Sequence, residues 1–246
     1  MSPASRIIIA LDFENSNEAM QLVEQLGAAA QFYKVGLQLL TAQGPSVVQT
    51  LIAAGKQVFL DLKLFEIPHS VAGAVKAAGQ LGVSMLTVHA MAGSTVLRTA
   101  VEAARPFPQL KILALTVITS MREPDLYELG LNASVAEQVM RLAQLATAAD
   151  CHGIVASPQE AAMLRSLLPP EMLLVTPGIQ PAGHLKNDQA RICTPEQAFY
   201  AGATHLIMGR SITHSENPAT TFSAICEQLG AASRQKKSSL LLQTQT

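Results

Sequence analysis

Eight short β-rich runs alternate with longer segments of helical periodicity, recurring about every 20 to 40 residues without a shift in composition between them. They are Arg6–Asp12, Phe32–Gly36, Gln57–Lys63, Ser84–His89, Lys111–Ile118, Gly153–Ser157, Leu173–Pro177 and His205–Gly209. Most are continuously hydrophobic rather than alternating, the pattern of parallel strands covered on both faces. Parallel neighbours need a crossover, usually a helix, so the series admits a closed barrel or an open doubly wound sheet. No G-x-G-x-x-G follows the first run, which removes the main sign of a dinucleotide-binding sheet. A chain of 246 residues also matches the length of one barrel. The expected fold is an α/β, single-domain (β/α)8 TIM barrel.

Helix punctuation supports the spacing. Pro45 in a first turn leads to Val47, Val48, Leu51 and Ile52 and to a stop at Gly55. Ser134 with Glu137 and Ser157 with Glu160 read as capping boxes, and Thr194-Pro195 as a further helix start. Asn217-Pro218 opens a last helix with Phe222, Ile225 and Leu229 on one face and Gly230 closing it. The barrel is therefore expected over residues 1–230, with 231–246 a flexible C-terminal extension or a short peripheral helix. Long connections after the fifth run (Thr119 to Leu131) and the seventh (Gly178 to Ile192) suit lids or ligand loops.

Composition narrows the partners. Hydrophobic residues make up 49% and charged residues 14%, against roughly 25% charged in an average chain, so a sizeable core is expected and disorder is not. The formal net charge is −1, and no Lys/Arg stripe could track a phosphate backbone, which argues against nucleic acid. Apolar stretches fall far short of a membrane span. The start carries no leader pattern, and Cys151, Cys193 and Cys226 are scattered without a C-x-x-C pair. A cytoplasmic protein with reduced thiols is expected.

In a β/α barrel the chemistry sits at the C-terminal ends of the strands. Asp12 closes the first run, Lys34 lies in the second, and Asp61 and Lys63 close the third; His89 closes the fourth. Thr119-Ser120 follow the fifth, Ser157 the sixth and Gly209-Arg210 the eighth. Singly, such residues are often turns or caps; as a ring they predict a site. Asp61 and Lys63, two apart on a strand, should face one side, with Lys34 joining them from the next strand. Ion pairs that merely plug a barrel cost desolvation, and Val or Leu would fill it more cheaply, so the cluster favours chemistry. Thr176-Pro177-Gly178-Ile179 and Met208-Gly209-Arg210-Ser211 occupy the loops where barrels often bind phosphate; a plain glycine turn with a surface arginine fits the second equally well. Lysines between the carboxylates, and histidines without H-E-x-x-H spacing, speak against a metal.

Asp61-Leu62-Lys63 with Glu66-Ile67-Pro68 resembles the D-x-K-x-x-D-I-P signature of the orotidine 5′-phosphate decarboxylase family. Further blocks agree in order: Ile9-Ala10-Leu11-Asp12, Tyr33-Lys34-Val35-Gly36, Thr87-Val88-His89-Ala90, Leu115-Thr116 through Thr119-Ser120, Thr176-Pro177-Gly178-Ile179, Asp188-Gln189-Ala190-Arg191 and Gly209 to Thr213. The resemblance implies a dimeric barrel that converts orotidine 5′-phosphate to UMP and carbon dioxide without metal or organic cofactor. It makes Lys63 the proton donor and Asp61 the neighbour of the reacting carboxylate. Lys34 would hold the array and touch the ribose, and Asp12 would be a further ribose partner. Thr119 and Ser120 resemble the pyrimidine contacts, and Gln189, Gly209 and Arg210 the phosphate contacts. Ile67, Ser70, Pro177 and Gln180 complete the implied substrate-binding set. The second signature carboxylate, contributed across the dimer in that family, is here Glu66 rather than Asp. Gln180 stands where Arg is common, and His69-Ser70 replaces the usual Asn-Thr. Two alternatives stay open at this point. One is the related magnesium-dependent barrel group exemplified by 3-keto-gulonate 6-phosphate decarboxylase, against which Lys34 speaks. The other is a non-catalytic nucleotide-binding paralogue, suggested by Glu66 and Gln180.

Overall fold

The computed structural model describes residues 2–181 and 193–243, with side chains through 235. Eight parallel strands, β1 (Ile7–Ala10), β2 (Phe32–Gly36), β3 (Gln57–Leu64), β4 (Met85–His89), β5 (Lys111–Leu115), β6 (Gly153–Val155), β7 (Leu173–Thr176) and β8 (His205–Met208), form a barrel in chain order. It closes where Ile7, Ile8 and Ile9 pair with Leu206, Ile207 and Met208. The helices of the first half are α1 (Ser16–Leu26), α2 (Leu37–Gln43), α3 (Ser46–Ala53), α4 (Pro68–Leu81) and α5 (Ser94–Ala104). Those of the second half are α6 (Glu123–Glu128), α7 (Val135–Ala148), α8 (Ala161–Leu167), α9 (Pro195–Tyr200), α10 (Arg210–Thr213) and α11 (Pro218–Gln243). None among the described residues is long and apolar enough to cross a membrane.

The two faces of each strand build two cores. Ile8, Ala10, Phe32, Phe59, Met85, Leu113, Leu115, Val155, Val175 and Ile207 pack together as the barrel interior. Alternate residues such as Ile7, Ile9, Tyr33, Val35, Leu60, Leu86, Val88 and Ile112 join the helices in the outer core. Gly153 lies at a tight point of the interior. A Cβ there would stand 2.6 Å from Leu173 Cβ and 2.7 Å from Leu113 Cδ2, so only glycine lets these side chains close over β6.

Local chemistry fixes several helix ends. Asn15 accepts from the Glu18 N–H at 3.0 Å to start α1, and Ser134 and Glu137 form a reciprocal capping box on α7. Thr194 and Gln197 do the same for α9. Other expectations need correction. Pro45 precedes α3 as its N-cap instead of lying in the first turn. Ser157 accepts from the Gln159 N–H at 3.3 Å, and α8 begins only after Glu160, so residues 157 and 160 are not a capping box. The connection after β5 contains α6. The last helix does not close at Gly230: α11 runs unbroken through it to Gln243. A helical glycine costs only about 1 kcal/mol, and Phe222, Ile225, Leu229 and Ala232, all buried, hold the helix on the barrel across that point.

Candidate active site

Carrying the inward face of each strand toward its C-terminal end replaces the apolar interior with Lys34, Asp61, Thr87 and His89. Lys34 pairs in register with Ala10 and Phe59, and Asp61 with Gly36. Lys34 Nζ donates to Asp12 Oδ1 at 3.0 Å and lies 3.8 Å from Asp61 Oδ2, which is 2.9 Å from Lys63 Nζ. The result is an alternating row, Asp12, Lys34, Asp61, Lys63. Its middle is buried and its ends are open: side-chain exposure is 10% for Lys34 and 12% for Asp61, but 34% for Lys63 and 56% for Asp12. Gly36 leaves room for the row, since a Cβ there would stand 3.1 Å from Lys34 Nζ.

Lys63 joins the row by a different route from simple strand alternation. Leu60 pairs with Leu86 but Leu64 pairs with Val88, so four steps along β3 match two along β4. Inside that bulge Lys63 has φ +51°, a left-handed conformation that costs a non-glycine residue about 1–3 kcal/mol. The Thr87 hydroxyl accepts from the Lys63 backbone N–H at 2.9 Å and donates to Asp61 Oδ1 at 2.8 Å. His89 sits nearby with Nδ1 accepting from the Met91 N–H at 3.3 Å and its ring stacked on Phe65 at 5.7 Å. Burial, and secondarily the Lys63 charge, lower its pKa and favour the neutral ring.

The row opens into a cavity of about 500 Å³. Asp12, Lys34, Asp61 and Lys63 line it from β1 to β3, Thr119 from the loop after β5, and Pro177, Gln180, Gly209 and Arg210 from the loops after β7 and β8. Gln180 and Ser211 are buried there, and Gln180 Oε1 and Ser211 Oγ have no hydrogen-bond partner among the described residues. Buried polar atoms left in this way are costly unless a ligand satisfies them. Arg210 and the start of α10 stand beside them. The structure does not gather every residue expected. Ser120 is exposed outside the cavity lining, as are Glu66, Ile67 and Ser70. The Glu66 carboxylate instead accepts from the Ile67 N–H and the Ser70 hydroxyl, which hold its pKa below the usual carboxylate range. Gln189 lies outside the described residues. Conversely, Gln38 and His214 line the cavity without a sequence signal having marked them; Ser211 lines it from the expected phosphate loop, and Thr87, marked in sequence only as part of a family block, underpins it. Gln38 stands just past a strand end, a position that could have flagged it; Thr87 by itself reads as an ordinary strand residue.

Fold and row together define a β/α-barrel enzyme with ammonium and carboxylate groups alternating at the mouth of its barrel. The sequence model of the "Orotidine 5'-phosphate decarboxylase / HUMPS family" matches residues 5–225, and the chain belongs to this family. It is 46% identical over 222 residues to a protein of Nitrosococcus oceani named orotidine 5′-phosphate decarboxylase, covering 90% of this chain and 96% of that one. A protein of the same name from Saccharophagus degradans is 42% identical over 233 residues, covering 94% and 98%. The crystal structure of orotidine 5′-phosphate decarboxylase from Lactobacillus acidophilus superposes with a TM-score of 0.80 at 32% identity, over 90% of this chain and 97% of that one.

Proposed function

We propose that the protein decarboxylates orotidine 5′-phosphate to UMP and carbon dioxide, the last step of UMP synthesis, with its own side chains as the only catalysts. The single observation that carries this reading is the Asp12, Lys34, Asp61, Lys63 row opening into the same cavity as Arg210. In the reaction the bond from C6 to the carboxyl carbon breaks and its electron pair stays on C6. The Lys63 ammonium stabilises that charge and delivers a proton to C6. Asp61 stands beside the departing carboxylate, where its charge disfavours the ground state relative to the transition state, and it fixes Lys63 by the 2.9 Å ion pair. Lys34 joins the two carboxylates and meets the ribose with Asp12. Thr119, with Ser120, takes the pyrimidine; Pro177, Gln180, Gln189, Gly209 and Arg210 take the phosphate end.

The protein acts as a homodimer in this reading. Phe65 and Ile67 flank Glu66 and are 62% and 61% exposed, an apolar rim that a second copy would cover. Glu66 and Ser70 would then reach the partner subunit's site. Two ammonium groups interleaved with the carboxylates oppose a divalent cation by charge, which separates this reading from the magnesium-dependent barrels. Three free thiols, with burial pushing Cys151 up to about 12, suit the cytoplasm. Loss of orotidine 5′-phosphate absorbance, followed with and without a chelator, tests the assignment. Turnover unaffected by chelator is expected; no turnover refutes decarboxylation, and chelator-sensitive turnover refutes the cofactor-free chemistry.

A further inference from the structure

We infer that Thr87 is a positioning residue for the decarboxylation, the element that locks Lys63 and Asp61 into one reacting unit. The inference rests on the function proposed above and adds to it a residue that never meets substrate. Thr87 is fully buried on β4, beneath the row. Its single hydroxyl is used twice, accepting from the Lys63 N–H at 2.9 Å and donating to Asp61 Oδ1 at 2.8 Å.

Each bond answers a specific structural need. The bulge between Leu60 and Leu64 takes Lys63 out of the regular ladder with β4, and its φ of +51° is unfavourable for a lysine. A backbone N–H left unpaired at that point would add a further penalty, and the Thr87 oxygen supplies the acceptor that the ladder no longer offers. Asp61 needs the second bond because both lysine contacts fall on Oδ2, at 2.9 Å from Lys63 and 3.8 Å from Lys34. The Thr87 proton holds the other oxygen and so fixes the carboxylate plane. One hydroxyl thereby sets both the backbone from which the Lys63 ammonium extends and the carboxylate to which it is bonded. A misplacement of about 1 Å at such a site is enough to lower a rate by two orders of magnitude.

The test compares Thr87→Val, which keeps the volume and removes the hydroxyl, with Thr87→Ser, which keeps the hydroxyl. Thr87→Val should lower kcat about ten- to hundredfold, while UMP affinity stays within about twofold. Thr87→Ser should restore most of the loss. A kcat within about twofold of the unmodified protein in Thr87→Val overturns the proposal, and so does a serine variant as slow as valine. A purely structural role would lower thermal stability and UMP affinity along with the rate. Should Thr87→Val not fold, Thr87→Cys, which replaces the hydroxyl with a weak hydrogen-bonding thiol, is read by the same criteria. A readout independent of turnover separates this inference from the proposed function: labelling of Lys63 by an amine-reactive reagent, quantified by peptide mass spectrometry. Labelling should rise severalfold in Thr87→Val and not in Thr87→Ser; equal labelling in all three overturns the positioning role even where the unmodified protein is active. Absence of decarboxylation by the unmodified protein alongside the expected labelling change would refute only the function.

Discussion

Replacing Asp61 with Asn removes one negative charge from the centre of the row while preserving its shape. The Asn oxygen can still accept from Thr87, so the change isolates the charge. At an effective dielectric of about 20, unit charges at the observed 2.9 Å and 3.8 Å attract by about 6 and about 4 kcal/mol. Most of that is offset by the desolvation of a carboxylate whose side chain is only 12% exposed. Lys34 also keeps Asp12 at 3.0 Å, and Lys63 is open enough for solvent to screen it. A net loss of about 3 kcal/mol in the holding of Lys63 is the reasonable scale, which lowers the rate about a hundredfold. UMP lacks the carboxylate that Asp61 faces in the proposed reaction, so its affinity should change by no more than a few-fold. Steady-state kinetics with orotidine 5′-phosphate, UMP titration by calorimetry and a urea unfolding curve check the three parts. If Asp61→Asn keeps a kcat within about threefold of the unmodified protein, the charge is not what organises the site and the electrostatic reading fails.

Arg210→Ala should weaken UMP binding by about 1.5–3 kcal/mol and leave uridine binding unchanged; equal affinities for UMP and uridine in the unmodified protein would show that there is no phosphate site. Lys63→Ala and Glu66→Ala should each be inactive, yet subunit exchange between them should restore activity, because one site of the heterodimer has both groups intact. Heterodimers that form but stay inactive would refute a carboxylate supplied in trans. His205 is buried on β8, with its ring edge on Phe32, and burial, then the Arg6 charge, push its pKa down to about 4. The unfolded chain binds this proton near pH 6.5 and the native barrel does not, so stability should fall as pH drops from 6.5 toward 4, by about 3 kcal/mol from this group. Urea unfolding at pH 7 and pH 4.5 should show a smaller acid loss in His205→Leu; an unchanged loss would place the acid sensitivity elsewhere.

Much of this architecture is local and therefore legible in the chain. Continuous apolar runs separated by capped amphipathic segments specify parallel strands and helices wherever they occur, and all eight strands fall on the expected runs. The ends are less legible. The sequence carries the first run to Asp12 and the fifth to Ile118, but β1 ends at Ala10 and β5 at Leu115, and Asp12 and Ile118 beyond those ends line the cavity. At the other end, Gly230 carries the sign of a helix stop, yet the packing of Phe222, Ile225, Leu229 and Ala232 outweighs the modest cost of a helical glycine. In the site, residue types at strand ends identify Asp12, Lys34, Asp61, Lys63 and Arg210 without coordinates. How Lys63 comes to face Asp61 is a different matter: alternation predicts a shared face, whereas a bulge and a left-handed φ produce it. That conformation depends on a hydroxyl 24 residues away on β4, brought within 2.9 Å by the pairing of β4 with β3 in its bulged register. Periodicity and capping are properties of neighbouring residues, so the sequence alone determines them. The meeting of Thr87, Asp61 and Lys63 is set by contacts between distant segments, and only the folded barrel decides it.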